Sequence, residues 1–81
     1  MSTTATTTEI EQVVYEALES FGAERDQIDA QATLESLDID SLDLAELSQI
    51  IHERFGAEMK SSDVADLKTV GDAIVLIQSR L

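Results

Sequence analysis

The strongest constraint on the fold of this chain is a helical apolar period that returns in four separate segments. In the first segment, apolar residues recur every three or four positions between a possible capping box, Thr8 with Glu11, and Gly22. That spacing places the apolar side chains on one face of a helix, and glycine commonly follows a helix end. The pattern predicts helix I over about Glu9 to Phe21.

The second periodic segment has signals at both of its ends. Asp40 is a good N-cap, and Asp43 lies three residues further on, where an acidic side chain suits the positive end of a helix. Arg54 falls in the last turn and Gly56 follows it. These signals predict helix II over Ser41 to Phe55.

Two shorter segments complete the pattern. Ser61 or Ser62 is a possible cap for a short helix III that contains Val64 and Leu67. A Thr69-x-x-Asp72 pair then opens helix IV. The apolar stripe expected of helix IV consists of Val70, Ala73, Ile74, Ile77 and Leu81.

The rest of the chain excludes other fold classes. No strand pattern outweighs the helical segments, and the 81 residues include no proline. The apolar residues of positions 22–39 follow neither a helical nor a strand period. So long a connection needs buried side chains to hold it to the domain, and the candidates are Ile28, Leu34 and Leu37. We therefore predict an all-α fold: a small four-helix bundle with three longer helices, a short third helix and a long loop between helices I and II. Residues 1–7 are expected to be a disordered tail and residues 8–81 one domain.

Charge limits the partners of the chain. Seventeen acidic residues against five basic ones give a formal net charge of −12. Such a charge repels nucleic acid and anionic membranes, and it favours partners with basic patches. The longest apolar run, Ala73 to Ile77, is too short to span a bilayer, and residues 1–7 lack the features of a signal peptide. We expect a cytoplasmic protein without membrane insertion.

Ser41 is the most informative single residue. It falls at the first position of helix II, where free N–H groups and a partial positive charge favour a phosphate ester, although Asp40 and Asp43 oppose it. An Asp-Ser pair at a helix start is also ordinary capping chemistry. The chain has no cysteine, so any thiol chemistry requires an added group.

Two segments resemble the acyl carrier protein family: Leu34 to Leu47, around Asp40-Ser41-Leu42, and Lys68 to Ile74. The resemblance covers about residues 8–80 and makes residues 8–81 a carrier domain. It implies that a phosphopantetheinyl transferase moves 4'-phosphopantetheine from coenzyme A to Ser41. The chain would then be a freestanding, non-catalytic and monomeric carrier. It would hold acyl thioesters and shuttle them among fatty-acid or polyketide biosynthetic enzymes with basic docking patches.

The chain departs from the family pattern in two places. Asp38 stands where the family usually has glycine, and Met59-Lys60-Ser61 replaces the common Ile-Pro-Asp or Ile-Pro-Glu. By resemblance, apolar residues between helices II, III and IV shelter the acyl chain.

Helix II presents two different faces. Its core-facing stripe is expected to comprise Leu44, Leu47, Ile50, Ile51 and Phe55. A charged outer helix face is commonly just solvated, but the resemblance favours a docking role for it. The docking residues are then Asp40, Leu42, Asp43, Ala45, Glu46, Gln49 and Glu53.

Three alternatives belong to other classes. An unmodified acidic adaptor would use the same face of helix II to bind basic proteins. A serine hydrolase would need His52 as the base for Ser41, but the two lie eleven positions apart, which corresponds to about 16 Å of helix. A calcium loop at residues 38–43 lacks the turn glycine and the ligand spacing of an EF-hand. We therefore expect no catalytic site and no metal site.

Overall fold

The computed structural model describes residues 7–81, and its secondary structure is helical. Within these residues, the four helices are α1 (Thr7–Ser20), α2 (Ser41–Phe55), α3 (Ser61–Ala65) and α4 (Val70–Ser79), and the one 3-10 turn is Arg25–Gln27. The only extended pairing among the described residues is an isolated antiparallel bridge between Thr33 and Thr69. The all-α, four-helix prediction is confirmed.

The start of α1 differs from the prediction. Thr7 is already helical, although the expected disordered tail included it, and the remaining tail residues, 1–6, lie outside the described residues. Thr8 consequently lies inside the first turn and does not cap the helix. The helix ends at Ser20, one residue before the predicted end, and Gly22 follows with a positive φ of 111°.

Helix α2 has the predicted boundaries because both of its caps form. The Asp40 carboxylate accepts a hydrogen bond from the N–H of Asp43 at 3.0 Å, and the Asp43 carboxylate accepts one from the N–H of Asp40 at 3.4 Å. At the other end, Gly56 adopts the left-handed conformation with φ 74°, and its N–H donates to the carbonyl of His52.

The two remaining helices confirm one predicted cap and correct another. Thr69 and Asp72 form the predicted capping box of α4. The cap position of α3 is Lys60 and neither of the serines; its N–H donates to the Asp63 carboxylate at 3.1 Å. Leu67 lies beyond the end of the five-residue α3. Leu81 was predicted to belong to the apolar stripe of α4. It lies beyond the end of the helix and is exposed, so that part of the prediction is wrong.

The long connection between α1 and α2 is held by burial and by the backbone. Ile28, Leu34 and Leu37 are buried as predicted, and Ile39 joins them. The Leu34 N–H donates to the Lys68 carbonyl at 2.9 Å, which fastens this loop to the start of α4. The connection is therefore ordered without any helix period of its own.

The same loop approaches the first turn of α4 very closely. The Gly71 N–H donates to the carbonyl of Ala30 at 2.8 Å, and a Cβ at position 71 would lie 2.8 Å from that oxygen. Glycine is required here because only a residue without a side chain permits this contact.

The core divides the molecule into two sides, which differ in how tightly they are packed. The closed side is α1 against α4, where five side chains are completely inaccessible: Ile10, Val14, Leu18, Val70 and Ile77. The open side is the N-terminal half of α2 with α3 and residues 56–60 between them. Leu44 and Met59 there are only partly buried.

Candidate functional site

Ser41 is the first residue of α2 and its side chain is exposed. The capping box directs the neighbouring carboxylates of Asp40 and Asp43 onto backbone N–H groups. The serine hydroxyl therefore lies at the positive end of a well-formed helix, open to an approaching enzyme.

The backbone just before this helix is strained. Asp38 has φ 60°, and it is the one residue other than glycine with positive φ among residues 7–81. This is the position at which the sequence departs from the glycine of the family pattern. Aspartate tolerates the left-handed region better than most residues do, but at an energetic cost that glycine does not incur.

A cavity of about 260 Å³ opens beside Ser41, between α2 and α3. The Ser48 hydroxyl inside it donates to the Leu44 carbonyl at 3.1 Å, so this polar group is already satisfied. The wall that remains is mainly apolar and suits an aliphatic chain. The lining residues are Ser41, Leu44, Ala45, Ser48, Met59, Val64 and Ala65.

The lining of this cavity differs from that of the shelter expected by resemblance. The predicted shelter was to include helix IV, but the lining comes from α2, α3 and the segment between them, with no residue from α4. Helix α4 is instead packed against α1. Sequence periodicity also did not indicate Met59 or Ala65, because it shows which face is apolar and not where two helices stand apart.

The outward face of α2 lies where the sequence placed it. Leu42 has 78% of its surface exposed, and Asp43 is half-buried because it caps the helix. Ala45 is exposed but also lines the cavity, which gives it a position on both surfaces. The other exposed members of the predicted docking set are Asp40, Glu46, Gln49 and Glu53.

The core-facing stripe of α2 is less completely buried than predicted. Leu47 and Ile51 are buried, whereas Leu44, Ile50 and Phe55 are only partly buried. Leu44 remains accessible because it lines the cavity.

The histidine that a serine hydrolase would need is not placed beside Ser41. His52 is exposed and lines a different groove from the cavity of Ser41. Among residues 7–81, no group of three or more His, Cys, Asp or Glu side chains is placed to hold a metal ion. No helix in that part of the chain is long and apolar enough to cross a membrane.

Comparison with known proteins shows the family of this chain. The family model of the phosphopantetheine attachment site matches residues 11–76. An acyl carrier protein of Chlamydia caviae is 36% identical over 64 residues, which cover 78% of this chain and 83% of that protein. An acyl carrier protein of Lactobacillus johnsonii is 39% identical over 62 residues, covering 75% of this chain and 78% of that one.

A solved structure shows the same fold. The 3,7-dioxo-octyl actinorhodin acyl carrier protein from Streptomyces coelicolor superposes with a TM-score of 0.75 at 22% identity, covering 99% of this chain and 94% of that one. The chain therefore belongs to the phosphopantetheine-binding family and, within it, to the acyl carrier proteins.

Membership of this family defines the general function. Acyl carrier proteins carry intermediates and do not catalyse, so the chain is a carrier that interacts with acyl-chain biosynthetic enzymes. Its cofactor is 4'-phosphopantetheine, which supplies the thiol that the sequence lacks. None of these comparisons favours an unmodified adaptor.

Proposed function

We propose that Ser41 is the attachment residue of a freestanding acyl carrier and that a phosphopantetheinyl transferase loads it from coenzyme A. The Ser41 oxygen attacks the phosphorus next to the pantetheine and forms the new phosphoester bond, while the pyrophosphate bond of coenzyme A breaks and adenosine 3',5'-bisphosphate leaves. The proton of the hydroxyl passes to a base of the transferase or to solvent. The observation that carries this proposal is the placement of one exposed hydroxyl at the start of α2, directly beside an apolar cavity.

The surroundings of Ser41 favour the modified state. The start of a 15-residue helix supplies a partial positive charge for the phosphate group. The carboxylates of Asp40 and Asp43 accept hydrogen bonds from the backbone, and this partly offsets their repulsion of the phosphate.

The cavity supports a role in holding the cargo. The thiol of the attached group binds the acyl chain as a thioester, and the aliphatic part of that chain would enter the space between α2 and α3. Burying a methylene group contributes about 0.8 kcal/mol, so even a few methylenes repay sequestration of the chain.

The exposed face of α2 supports transient docking. Leu42 is an apolar contact beside Asp43 and Glu46, and this arrangement suits a basic partner with an apolar pocket. Electrostatic attraction speeds association more than it slows release, as a carrier that visits several enzymes requires. We place this monomeric carrier in the cytoplasm, among fatty-acid or polyketide enzymes.

Intact mass tests the attachment site. The apo protein incubated with coenzyme A and a phosphopantetheinyl transferase should gain one phosphopantetheinyl group, and Ser41→Ala should gain none. Ser48→Ala is the matched control, since Ser48 lies on the same helix and lines the same cavity. It should be modified like the unchanged protein. Modification of Ser41→Ala would contradict the assignment.

A further inference from the structure

The wall of the cavity beside Ser41 includes a thioether. Met59 is the one methionine among residues 7–81, and the sequence has no cysteine. Its side chain is half-buried, packs against the hydrophobic core and lines the cavity of about 260 Å³. The same side chain also lines a separate groove at the C-terminal half of α2. Met59 is therefore part of an apolar wall and, at the same time, accessible to a small solute.

The segment that carries Met59 is held by its side chains and not by its backbone. Among the described residues, no backbone hydrogen bond is formed by the N–H or the carbonyl of Ala57, Glu58 or Met59. The backbone bonds of the chain stop at Gly56 and resume at Lys60. Ala57 is buried and Met59 is partly buried, so these two side chains fix the segment in place. A change in the polarity of Met59 acts directly on this wall.

Oxidation makes such a change without breaking the chain. Hydrogen peroxide transfers one oxygen atom to the thioether sulfur: an S–O bond forms, the O–O bond breaks and water leaves, so the sulfur loses two electrons and the peroxide gains them. The resulting sulfoxide is polar, and sulfoxide reductases convert it back to the thioether. Methionine stands here where the family pattern commonly has isoleucine, which has no sulfur to oxidise.

We propose that Met59 is a reversible oxidation site and that its sulfoxide reduces the shelter that the cavity gives to an acyl chain. This inference rests on the proposed function, because it concerns cargo attached at Ser41. An aliphatic chain packs against the thioether, whereas beside the sulfoxide oxygen it displaces water without offering a hydrogen bond. The groove gives peroxide a second approach to Met59 when the cavity is filled.

The apo protein permits a clean test, because without cysteine or phosphopantetheine it has no thiol. It is treated with hydrogen peroxide, the peroxide is removed, and a phosphopantetheinyl transferase then loads an octanoyl or an acetyl group from the corresponding acyl-coenzyme A. Intact mass verifies loading, and peptide mass verifies the added oxygen at Met59. Before oxidation, the octanoyl form should melt at a higher temperature than the acetyl form. Oxidation should reduce this difference by about 4–8 °C, the shift that one unsatisfied polar group produces in a domain of this size.

Met59→Leu is the matched control, since leucine is apolar, has a similar volume and contains no sulfur. Peroxide should leave its difference between the two cargoes unaltered, which controls for oxidation of Met1, the other methionine of the sequence. Met59→Gln introduces a polar side chain of similar length and should reproduce the loss without peroxide. Sulfoxide reductases that act on both epimers should restore the difference in the oxidised protein.

Three results would overturn the proposal. The first is an unchanged difference between the cargoes after Met59 is oxidised, and the second is an equal change in Met59→Leu. The third is loss of cooperative melting in the acetyl forms of both the oxidised protein and Met59→Gln, because Met59 would then be needed for the fold itself.

Failure of the proposed function gives different results. If the untreated protein gains no acyl group at Ser41, the attachment is wrong. If it is loaded but melts at the same temperature with either cargo, the shelter is wrong. This inference fails with either of them. If the untreated protein is loaded and stabilised by octanoyl but oxidation has no effect, only the role of Met59 is wrong.

Discussion

The closed side and the open side of this small bundle are built from similar apolar residues but packed to different degrees. On the closed side, Val14, Leu18 and Ile77 have no exposed surface. On the open side, Leu44 and Met59 remain accessible around a cavity of about 260 Å³. An 81-residue chain has little core to spare, so the closed side must supply most of the stability while the open side leaves space for cargo.

Helix lengths reflect the same division. Helices α1 and α4 have 14 and 10 residues, whereas α3 has only five. Five residues are too few to form a stable helix alone, so α3 depends on its contacts with α2. A wall held in this way can adjust to a bound chain at a lower energetic cost than α1 or α4 can.

The largest expected effect is a difference in stability between the two sides. Ile77→Ala empties a fully buried position and should lower the free energy of unfolding by about 2–5 kcal/mol. Met59→Ala enlarges a cavity that is already open and should lower it by about 1 kcal/mol. Urea denaturation measures both. Equal losses would mean that the open side contributes as much stability as the closed side.

The second expected effect is a loss of partner binding without a loss of stability when Leu42 on α2 is changed. Leu42→Ala should reduce the kcat/KM of the transferase about fivefold or more, the effect of removing an anchor worth at least about 1 kcal/mol. Its effect on unfolding should stay below about 0.5 kcal/mol, because Leu42 is exposed.

Leu47→Ala is the internal control for Leu42→Ala, since Leu47 is buried on the opposite face of the same helix. It should destabilise the fold by about 2–5 kcal/mol. A loss of stability in Leu42→Ala as large as that in Leu47→Ala, with unaltered transferase kinetics, would reverse the assignment of the two faces.

A smaller effect is expected where the long loop enters α2. Asp38→Gly should raise the free energy of unfolding by about 0.5–1 kcal/mol, because glycine adopts the observed φ of 60° without strain. The gain is kept small because glycine loses more conformational entropy on folding. Asp38→Ala should lower the free energy of unfolding. Urea denaturation checks both signs, and a loss of stability in Asp38→Gly would show that the aspartate side chain stabilises this turn.

The smallest effect is electrostatic and should not distinguish the two sides. Raising the salt concentration from about 0.01 M to about 1 M shortens the screening length from about 30 Å to about 3 Å. With a net charge of −12, screening should raise the melting temperature by about 2–4 °C, equivalent to about 0.5 kcal/mol. An unchanged melting temperature would indicate that local pairing already compensates the carboxylates.

Local signals explain what the sequence predicted well. Helix α2 begins and ends where Asp40 and Gly56 place it, because a capping box and a left-handed glycine are encoded within a few residues. The burial of Ile28, Leu34 and Leu37 follows from the need to anchor a long loop. The exposure of Leu42 follows from the helical period alone.

Contacts between distant segments explain what the sequence predicted poorly. Leu44 has the period of a core residue, yet it remains half-buried because α3 and α2 stand apart beside it. A groove at the C-terminal half of α2 joins His52, Lys60 and Arg80 from three parts of the chain, and no spacing in the sequence brings them together. The position of Ser41 at the start of α2 was therefore indicated by sequence, whereas the shape of the cavity beside it required the fold.

A backbone amide chemical-shift map of the octanoyl-loaded protein against its unloaded phosphopantetheinyl form tests the division of roles most directly. The largest changes should fall on the open side, at Ala45, Met59 and Val64, while Val14 and Leu18 on the closed side should remain unshifted. Changes concentrated between α1 and α4, or the absence of changes around the cavity beside Ser41, would contradict the proposal that the open side shelters the acyl chain.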